Sequence, residues 1–100
     1  MKQITMVRVY LTEKKGELKK LLNYLHDESQ VCGVTVERGI SGFGPSGKIH
    51  TAHLVDLSLD LPVIIEFFDT PEKIIPILSH LKTLVKPNHI VYWSASLIDS

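Results

Sequence analysis

Hydrophobic and polar side chains alternate in the first part of the chain and then recur at helical spacing. Residues 4–11 read ITMVRVYL, with Thr5, Val7, Val9 and Leu11 on one side. This period of two predicts a β-strand. Farther along, the leucines at positions 18, 21, 22 and 25 recur every three to four residues and are separated by polar side chains. That spacing predicts an amphipathic helix from about Glu17 to Glu28.

Three further runs have the composition of strands. Residues 34–40 are rich in β-branched side chains and predict a second strand. Residues 61–68 read LPVIIEFF and predict a third strand, with Pro62 at its start, where a missing backbone donor is tolerated. Residues 90–97 supply the last strand.

A second helix lies between the third and the last strand. Thr70 precedes Pro71, which is the typical pairing of an N-cap with a proline at the first helical position. Apolar residues continue at helical spacing to Val85. Pro76 removes one hydrogen bond of the helix, and we therefore predict a bend there.

The element order is thus β-α-β-β-α-β, which predicts a single α+β domain of the ferredoxin-like type. In this fold, two helices cover one face of a four-stranded antiparallel sheet. The other face is bare, yet the third strand is apolar on both sides, with Val63, Ile65 and Phe67 on one side and Ile64 and Phe68 on the other. A second copy of the chain is the simplest cover, so the pattern predicts a homo-oligomer.

Composition narrows the function classes. Eleven basic and eleven acidic side chains cancel in a chain of 100 residues, so no overall charge favours nucleic acid or an anionic membrane. No apolar run approaches the roughly 18 residues that span a bilayer, and the amino terminus lacks a signal-peptide core. We expect a cytoplasmic protein that neither inserts into membranes nor binds nucleic acid. The single cysteine, Cys32, has apolar neighbours and is expected to pack.

A glycine-rich segment joins the second and third strands. Residues 42–47 satisfy G-x-G-x-x-G and, with Lys48, nearly satisfy the phosphate loop. Both motifs require a following helix, whereas a strand follows here, and Ile49 replaces the hydroxyl residue of the phosphate loop. A weaker interpretation is an anion-binding nest of backbone N–H groups flanked by Arg38 and Lys48. The alternative is a plain hairpin connection.

His50 and His53 in the same segment are three residues apart, as metal ligands on a helical turn can be. Asp56 and Asp60 are the nearest further ligands, and solvated histidines are the alternative. No spacing indicates a nucleophile with its base and orienting group, so no enzyme is predicted. The aromatic residues of the last strand could suit an RNA-binding sheet, but the RNP1 pattern is absent.

The central residues carry a family resemblance. Residues 35–44 read TVERGISGFG, His50 follows, then 57–63 read LSLDLPV, and Asp69 precedes the 72–74 run EKI. This pattern resembles a bacterial and archaeal family, domain of unknown function 190, that is related to PII signalling proteins and to CutA-type trimers. The resemblance covers nearly the whole chain. It implies a trimer with its sheets facing inward.

The resemblance also implies a function. PII-like proteins carry a long loop, here about 42–57, that reaches a target protein, often a membrane transporter or channel. Adenine nucleotides or other small effectors bind in clefts between their subunits. Residues 90–100 contain no basic residue, which argues against ATP binding in the PII manner. The related CutA-type trimers are linked to divalent-metal tolerance.

The predicted function is accordingly that of a trimeric regulatory protein. It binds a small effector, such as a nucleotide or another anion, between subunits and a partner through its loop. The predicted ligand-binding residues are Arg38, Gly39, Gly42, Gly44, His50 and Asp60. Arg38 would supply charge, the glycines would permit close backbone approach, and His50 and Asp60 would be polar anchors. The structural alternatives are an intersubunit ion pair for Arg38 and a cap of the turn before Pro62 for Asp60. The alternative is a CutA-like trimer that binds a divalent metal through His50 and His53. The sequence identifies no cofactor.

Overall fold

The computed structural model of the protein describes residues 1–12, 16–43, 49–51 and 61–99. In chain order the elements are β1 (Lys2–Thr12), α1 (Glu17–Asn23) with a π-helical continuation (Tyr24–Ser29), β2 (Val34–Arg38), β3 (Ser41–Phe43), β4 (Ile49–Thr51), β5 (Pro62–Asp69), α2 (Pro71–Leu84) and β6 (Ile90–Leu97).

The main sheet has the strand order β2-β5-β1-β6, and every neighbouring pair is antiparallel. With two helices between the strands, this confirms the predicted ferredoxin-like α+β fold. The short strands β3 and β4 form a separate two-stranded ladder that the sequence pattern did not predict. This hairpin lies partly within the predicted loop of residues 42–57.

The core lies between the sheet and the helices. The period of two in β1 and β5 brings Val7, Val9, Val63, Ile65 and Phe67 to this side, where each is at most 1% exposed. The helical spacing adds Leu21, Leu25, Ile74, Ile77 and Leu81 from the two helices. Each fully buried aliphatic side chain contributes about 1.5–3 kcal/mol relative to an exposed one.

The first helix changes its winding at Tyr24. The sequence predicts one helix to Glu28, and the chain does stay helical to Ser29, but its second half is a π-helix. Gln30 ends it in the left-handed region at φ 53°, and its N–H donates to the carbonyl of Leu25 at 3.0 Å. The Tyr24 ring stacks on His80 of α2 with 4.1 Å between the ring centroids. This contact joins the two helices.

The start of α2 follows the prediction. The hydroxyl oxygen of Thr70 accepts from the N–H of Lys73, as expected of an N-cap. The helix runs from Pro71 to Leu84 and includes Pro76. The bend at Pro76 stays a prediction.

Asp69 joins this helix start to the chain before β2. Its carboxylate accepts from the N–H of Thr70 at 2.7 Å and from the N–H of Cys32 at 3.3 Å, and it lies 3.5 Å from the Lys73 ammonium. Burial acts to raise the pKa of Asp69, but these donors and the Lys73 charge outweigh it, and the pKa lies below its ordinary value. The Cys32 side chain is exposed, so the expectation that it packs was wrong.

Candidate functional site

The face of the sheet without helices is apolar at one end. Met6 lies opposite both Phe68 of β5 and Trp93 of β6, and Ile4 lies opposite Ala95. Trp93 is 37% exposed, whereas core side chains of the opposite face are almost fully buried. The predicted bare, apolar face is therefore present in the chain. Exposed apolar surface of this kind is typical of interaction sites.

A polar cluster crosses the middle of the same face. The Arg8 guanidinium lies 3.4 Å from both carboxylate oxygens of Glu66 and 5.4 Å from the centre of the Trp93 ring. A hydrogen bond with Tyr10, followed by the charge of Glu66, raises the pKa of Arg8 against the opposing effect of burial. The Arg8 Nε is buried and has no hydrogen-bond partner among the described residues. The polar cluster therefore borders the apolar end of this face.

The glycine-rich segment is held at its base by Pro62. The N–H of Gly39 donates to the Pro62 carbonyl at 2.7 Å. A Cβ on Gly39 would lie 2.7 Å from the Pro62 Cγ, and one on Gly42 would lie 3.3 Å from the same atom. A side chain at Gly39 would therefore displace the proline. The two glycines permit the close approach that joins the two ends of the segment.

The structure brings some of the predicted ligand-binding residues together. Arg38 ends β2 opposite Val63, and Gly39 and Gly42 contact Pro62. In the β3–β4 ladder, Gly42 pairs with His50, which is described by its backbone alone. Exposed Ile40 and Phe43 flank this hairpin base.

The remaining predicted residues, Gly44, His53 and Asp60, lie outside the described residues, and so do Lys48 and Asp56. The anion nest and the histidine metal site therefore stay predictions. Within residues 1–12, 16–43, 49–51 and 61–99, no group of three or more His, Cys, Asp or Glu side chains is placed to hold a metal ion.

A groove of about 660 Å³ lies on the other edge of the sheet, between α2 and the start of β6. Its lining combines apolar side chains such as Ile75 and Leu78 with the cations of Lys82 and Lys86 and with Tyr92, which is 62% exposed. Such a mixture suits a ligand with an apolar body and a negative charge. The lysine spacing of four was the available sequence signal, but by itself it is also typical of a solvated helix surface.

The groove and the base of the glycine-rich segment occupy opposite edges of the same end of the sheet. Arg38 and Leu11 both lie opposite Val63, and Val9 lies opposite Ile90. Three strand spacings of about 4.8 Å separate the edge strands β2 and β6, which is about 14 Å. The groove and the loop base are therefore two separate features of one chain.

Residues 4–97 match the model of domain of unknown function 190, a family described as uncharacterized ACR. A UPF0166 protein of Aquifex aeolicus is 33% identical over 92 residues, which are 92% of this chain and 93% of the relative. A UPF0166 protein of Methanocaldococcus jannaschii is 35% identical over 91 residues, which are 86% of this chain and 82% of the relative. The chain belongs to this family.

Solved structures show the same fold at low identity. CPII from Thiomonas intermedia K12, bound to ADP and bicarbonate, has a TM-score of 0.68 at 20% identity, over 94% of this chain and 85% of that one. CutA1 of Ehrlichia chaffeensis, a divalent ion tolerance protein, has a TM-score of 0.63 at 11% identity, over 100% of this chain and 86% of that one. The chain is thus a PII-like protein in fold, as its sequence motif indicated.

No helix in the described part of the chain combines the length and the apolar character needed to cross a membrane.

Proposed function

We propose that the protein is a regulatory binding protein rather than an enzyme. Three copies would assemble with their sheets inward, and a small anionic effector would bind between copies. Binding would change the surface that the glycine-rich segment offers to a partner protein. A membrane transporter or channel is the class of partner that we expect. The observation that carries the proposal is that a groove with two lysines and the loop base at Pro62 lie at the same end of the sheet, and we interpret them as two half-sites.

The bare face supports the assembly. An apolar face with Trp93, Met6 and Phe68 in one row is costly to leave in water, because each such side chain gains about 1.5–3 kcal/mol on full burial. A second copy offers the same apolar surface. Sheets that face inward would cover these rows and leave the helices outside.

The loop base supports a regulatory role. Gly39, Gly42 and Pro62 hold the two ends of the segment together, so a ligand that contacts this base also acts on the segment between them. Ordering or releasing such a segment changes the surface that is offered to a partner. The half-site across the sheet supplies the lysine charges that favour an anion.

A thermal-shift screen tests the effector. The screen contains ADP, AMP, ATP, bicarbonate, phosphate and sulfate; ADP and bicarbonate are included because CPII is bound to them. A ligand at 100 times its Kd adds about 2.7 kcal/mol to the free energy of unfolding. For a domain of this size, that raises the Tm by roughly 10 °C or more.

A pair of charge-matched variants locates the site. K82Q/K86Q should abolish the shift, whereas K19Q/K20Q, on an exposed part of α1, removes the same charge and should keep it. If none of the six anions raises the Tm, or if the two double variants respond alike, the proposed effector site is wrong.

The metal alternative has its own test. The likeness to CutA1 in fold and the pairing of His50 into the hairpin at the loop base favour it. Calorimetric titration with zinc and copper(II) is compared between the wild-type chain and H50A/H53A. Binding heat that is lost in H50A/H53A would support a metal site at these histidines. Equal heats for the two chains would contradict the metal alternative.

A further inference from the structure

The ion pair of Arg8 and Glu66 lies at the centre of the sheet face that carries no helices. The strand order β2-β5-β1-β6 makes β1 and β5 the two inner strands, and Arg8 of β1 lies opposite Glu66 of β5. Their cross-strand row continues to Thr35 of β2 and to Val91 of β6. Assembly through the apolar rows of this face, as in the proposed function, gives the central ion pair no role of its own.

Apolar side chains lie on both sides of the ion pair. Residues two positions apart on a strand point to the same face. In one direction along the strands, Met6 lies opposite Phe68 and Trp93, and in the other direction Ile64 lies opposite Tyr10. Because the ion pair lies between these rows, copies that face one another through the rows would also enclose the two charges. The charges would then belong to the centre of the contact rather than to its solvent-exposed rim.

The ion pair is loose within one chain. Both contacts with the Glu66 carboxylate come from one nitrogen of Arg8, Nη2, at 3.4 Å. Charge-assisted hydrogen bonds are shorter, typically about 2.7–2.9 Å. The Arg8 side chain is 36% exposed and that of Glu66 is 24% exposed. Since a guanidinium has five N–H donors and a carboxylate has two acceptor oxygens, these contacts use only part of the bonding capacity of the pair.

Enclosed charges restrict the ways in which two copies of this face can meet. A charge that leaves water without an opposite charge beside it carries a large free-energy penalty. Alignments that place Arg8 against an apolar row, or against Arg8 of another copy, are therefore unfavourable. An alignment that places Arg8 against Glu66 of another copy avoids both costs. The face is thus complementary in charge to a second copy of itself.

We propose that Arg8 of each copy binds Glu66 of the next copy and that this contact sets the alignment of the inward-facing sheets. The occupant of the face is a second copy of the chain, and the inference rests on the homotrimer of the proposed function. Each copy contributes one Arg8 and one Glu66, so three copies close a ring of intermolecular pairs about the trimer axis with no unmatched charge. The best-attested role of enclosed charges is to specify such an alignment.

A charge swap tests whether the pair acts between copies. R8E/E66R exchanges the two side chains, so it keeps the composition, the net charge and an ion pair within the chain. In an assembly of its own kind it also keeps the pairs between copies. Mixed with the wild-type chain, it would oppose two arginines and two glutamates. K20E/E28K makes the same kind of exchange at two exposed helical positions and is the control.

Each double variant is combined with an equal amount of isotope-labelled wild-type chain, unfolded in urea and refolded without any effector. Native mass spectrometry then counts pure and mixed assemblies. We expect R8E/E66R to fold, as circular dichroism would check, and to form trimers alone. Its mixed trimers with the wild-type chain should be at least about tenfold rarer than those of K20E/E28K, because like charges face each other in them.

Free mixing of R8E/E66R with the wild-type chain, at the level of the control, would overturn the proposal, since the pair would then act within one chain. A folded R8E/E66R that stays monomeric while the wild type forms trimers would also overturn it. A monomeric wild-type chain would overturn both this proposal and the proposed assembly, whereas free mixing leaves the assembly intact. Because no effector is present, a failed ligand screen would not affect these outcomes.

Single variants keep the proposal testable if R8E/E66R does not fold. E66Q removes one charge with little change of shape and should raise the apparent dissociation constant of the trimer at least about tenfold, measured by sedimentation over a concentration series. E37Q is a control on the same face, because Glu37 lies opposite Ile64 on the edge strand β2, and E28Q is a control on the helical surface. Equal dissociation of E66Q and E28Q, or weakening by E37Q alone, would contradict the proposal.

Discussion

The two faces of the main sheet are made from the same strands but depend on different partners. On the helix side, Val7, Val9 and Ile65 are completely buried by the chain itself. On the other side, Met6, Ile64 and Phe68 remain partly exposed, and Trp93 is 37% exposed. One face is buried by packing within the chain, whereas the other is left partly exposed, and we propose that further copies of the chain cover it. Adjacent residues of one strand, such as Ile64 and Ile65, should therefore respond to mutation in different ways.

The largest expected effect is that of Ile65→Ala. It removes a fully buried side chain from the core and should lower the free energy of unfolding by about 2–5 kcal/mol. The loss should be the same at every protein concentration. Urea unfolding at low and high concentration measures it.

Ile64→Ala is the matched control on the open face. It should leave the unfolding midpoint of the diluted chain nearly unchanged but weaken the association, so the midpoint would no longer rise with protein concentration. Equal behaviour of the two variants would contradict the distinction between the faces.

Gly39→Ala tests the loop base, where packing within the chain is again decisive. The new Cβ would lie 2.7 Å from the Pro62 Cγ, and the resulting displacement should cost about 1–3 kcal/mol in unfolding free energy. Gly33→Ala is the control, because no atom lies within 4 Å of the Cβ it would add. If chemical denaturation gives the same loss of unfolding free energy for Gly39→Ala and Gly33→Ala, the close approach of Gly39 to Pro62 does not stabilise the fold.

The smallest predicted effect concerns acid. The folded-state pKa of Asp69 lies below its ordinary value of 3.8, so the carboxylate stabilises the fold above that pH. This stability is lost as the pH falls below about 4 and through the folded-state pKa.

Asp69→Asn should therefore destabilise the protein at pH 7 but lose less stability between pH 7 and pH 3 than the wild-type chain does. Denaturant unfolding at both pH values measures the difference. An unchanged acid dependence in Asp69→Asn would show that the pKa of Asp69 is not linked to folding.

The sequence predicted the secondary structure correctly where the hydrophobic periodicity extends over many residues. The alternation in residues 4–11, the leucine spacing after Gly16 and the Thr70–Pro71 start of α2 each have a local physical cause and are confirmed. The β3–β4 hairpin was missed because each strand has three residues, too few to show a period. The change of winding at Tyr24 has no local signal that we can identify.

The candidate site was only partly predictable. The glycine pattern identified Gly39 and Gly42, whose need for close approach to Pro62 became evident from the backbone. The groove was not predicted from the sequence. A turn separates α2 from β6 along the chain, and Lys82, Lys86 and Tyr92 line one surface only after folding. The positions of the two proposed half-sites depend on strand order, which places β2 and β6 at opposite edges.

The mass of the wild-type chain in solution tests the central claim most directly, since both the covered face and the shared effector site depend on assembly. Equilibrium sedimentation at micromolar concentration should give about 34 kDa, three times the chain mass of 11.3 kDa, because a trimer buries all three open faces. A stable monomer of 11.3 kDa would contradict the account.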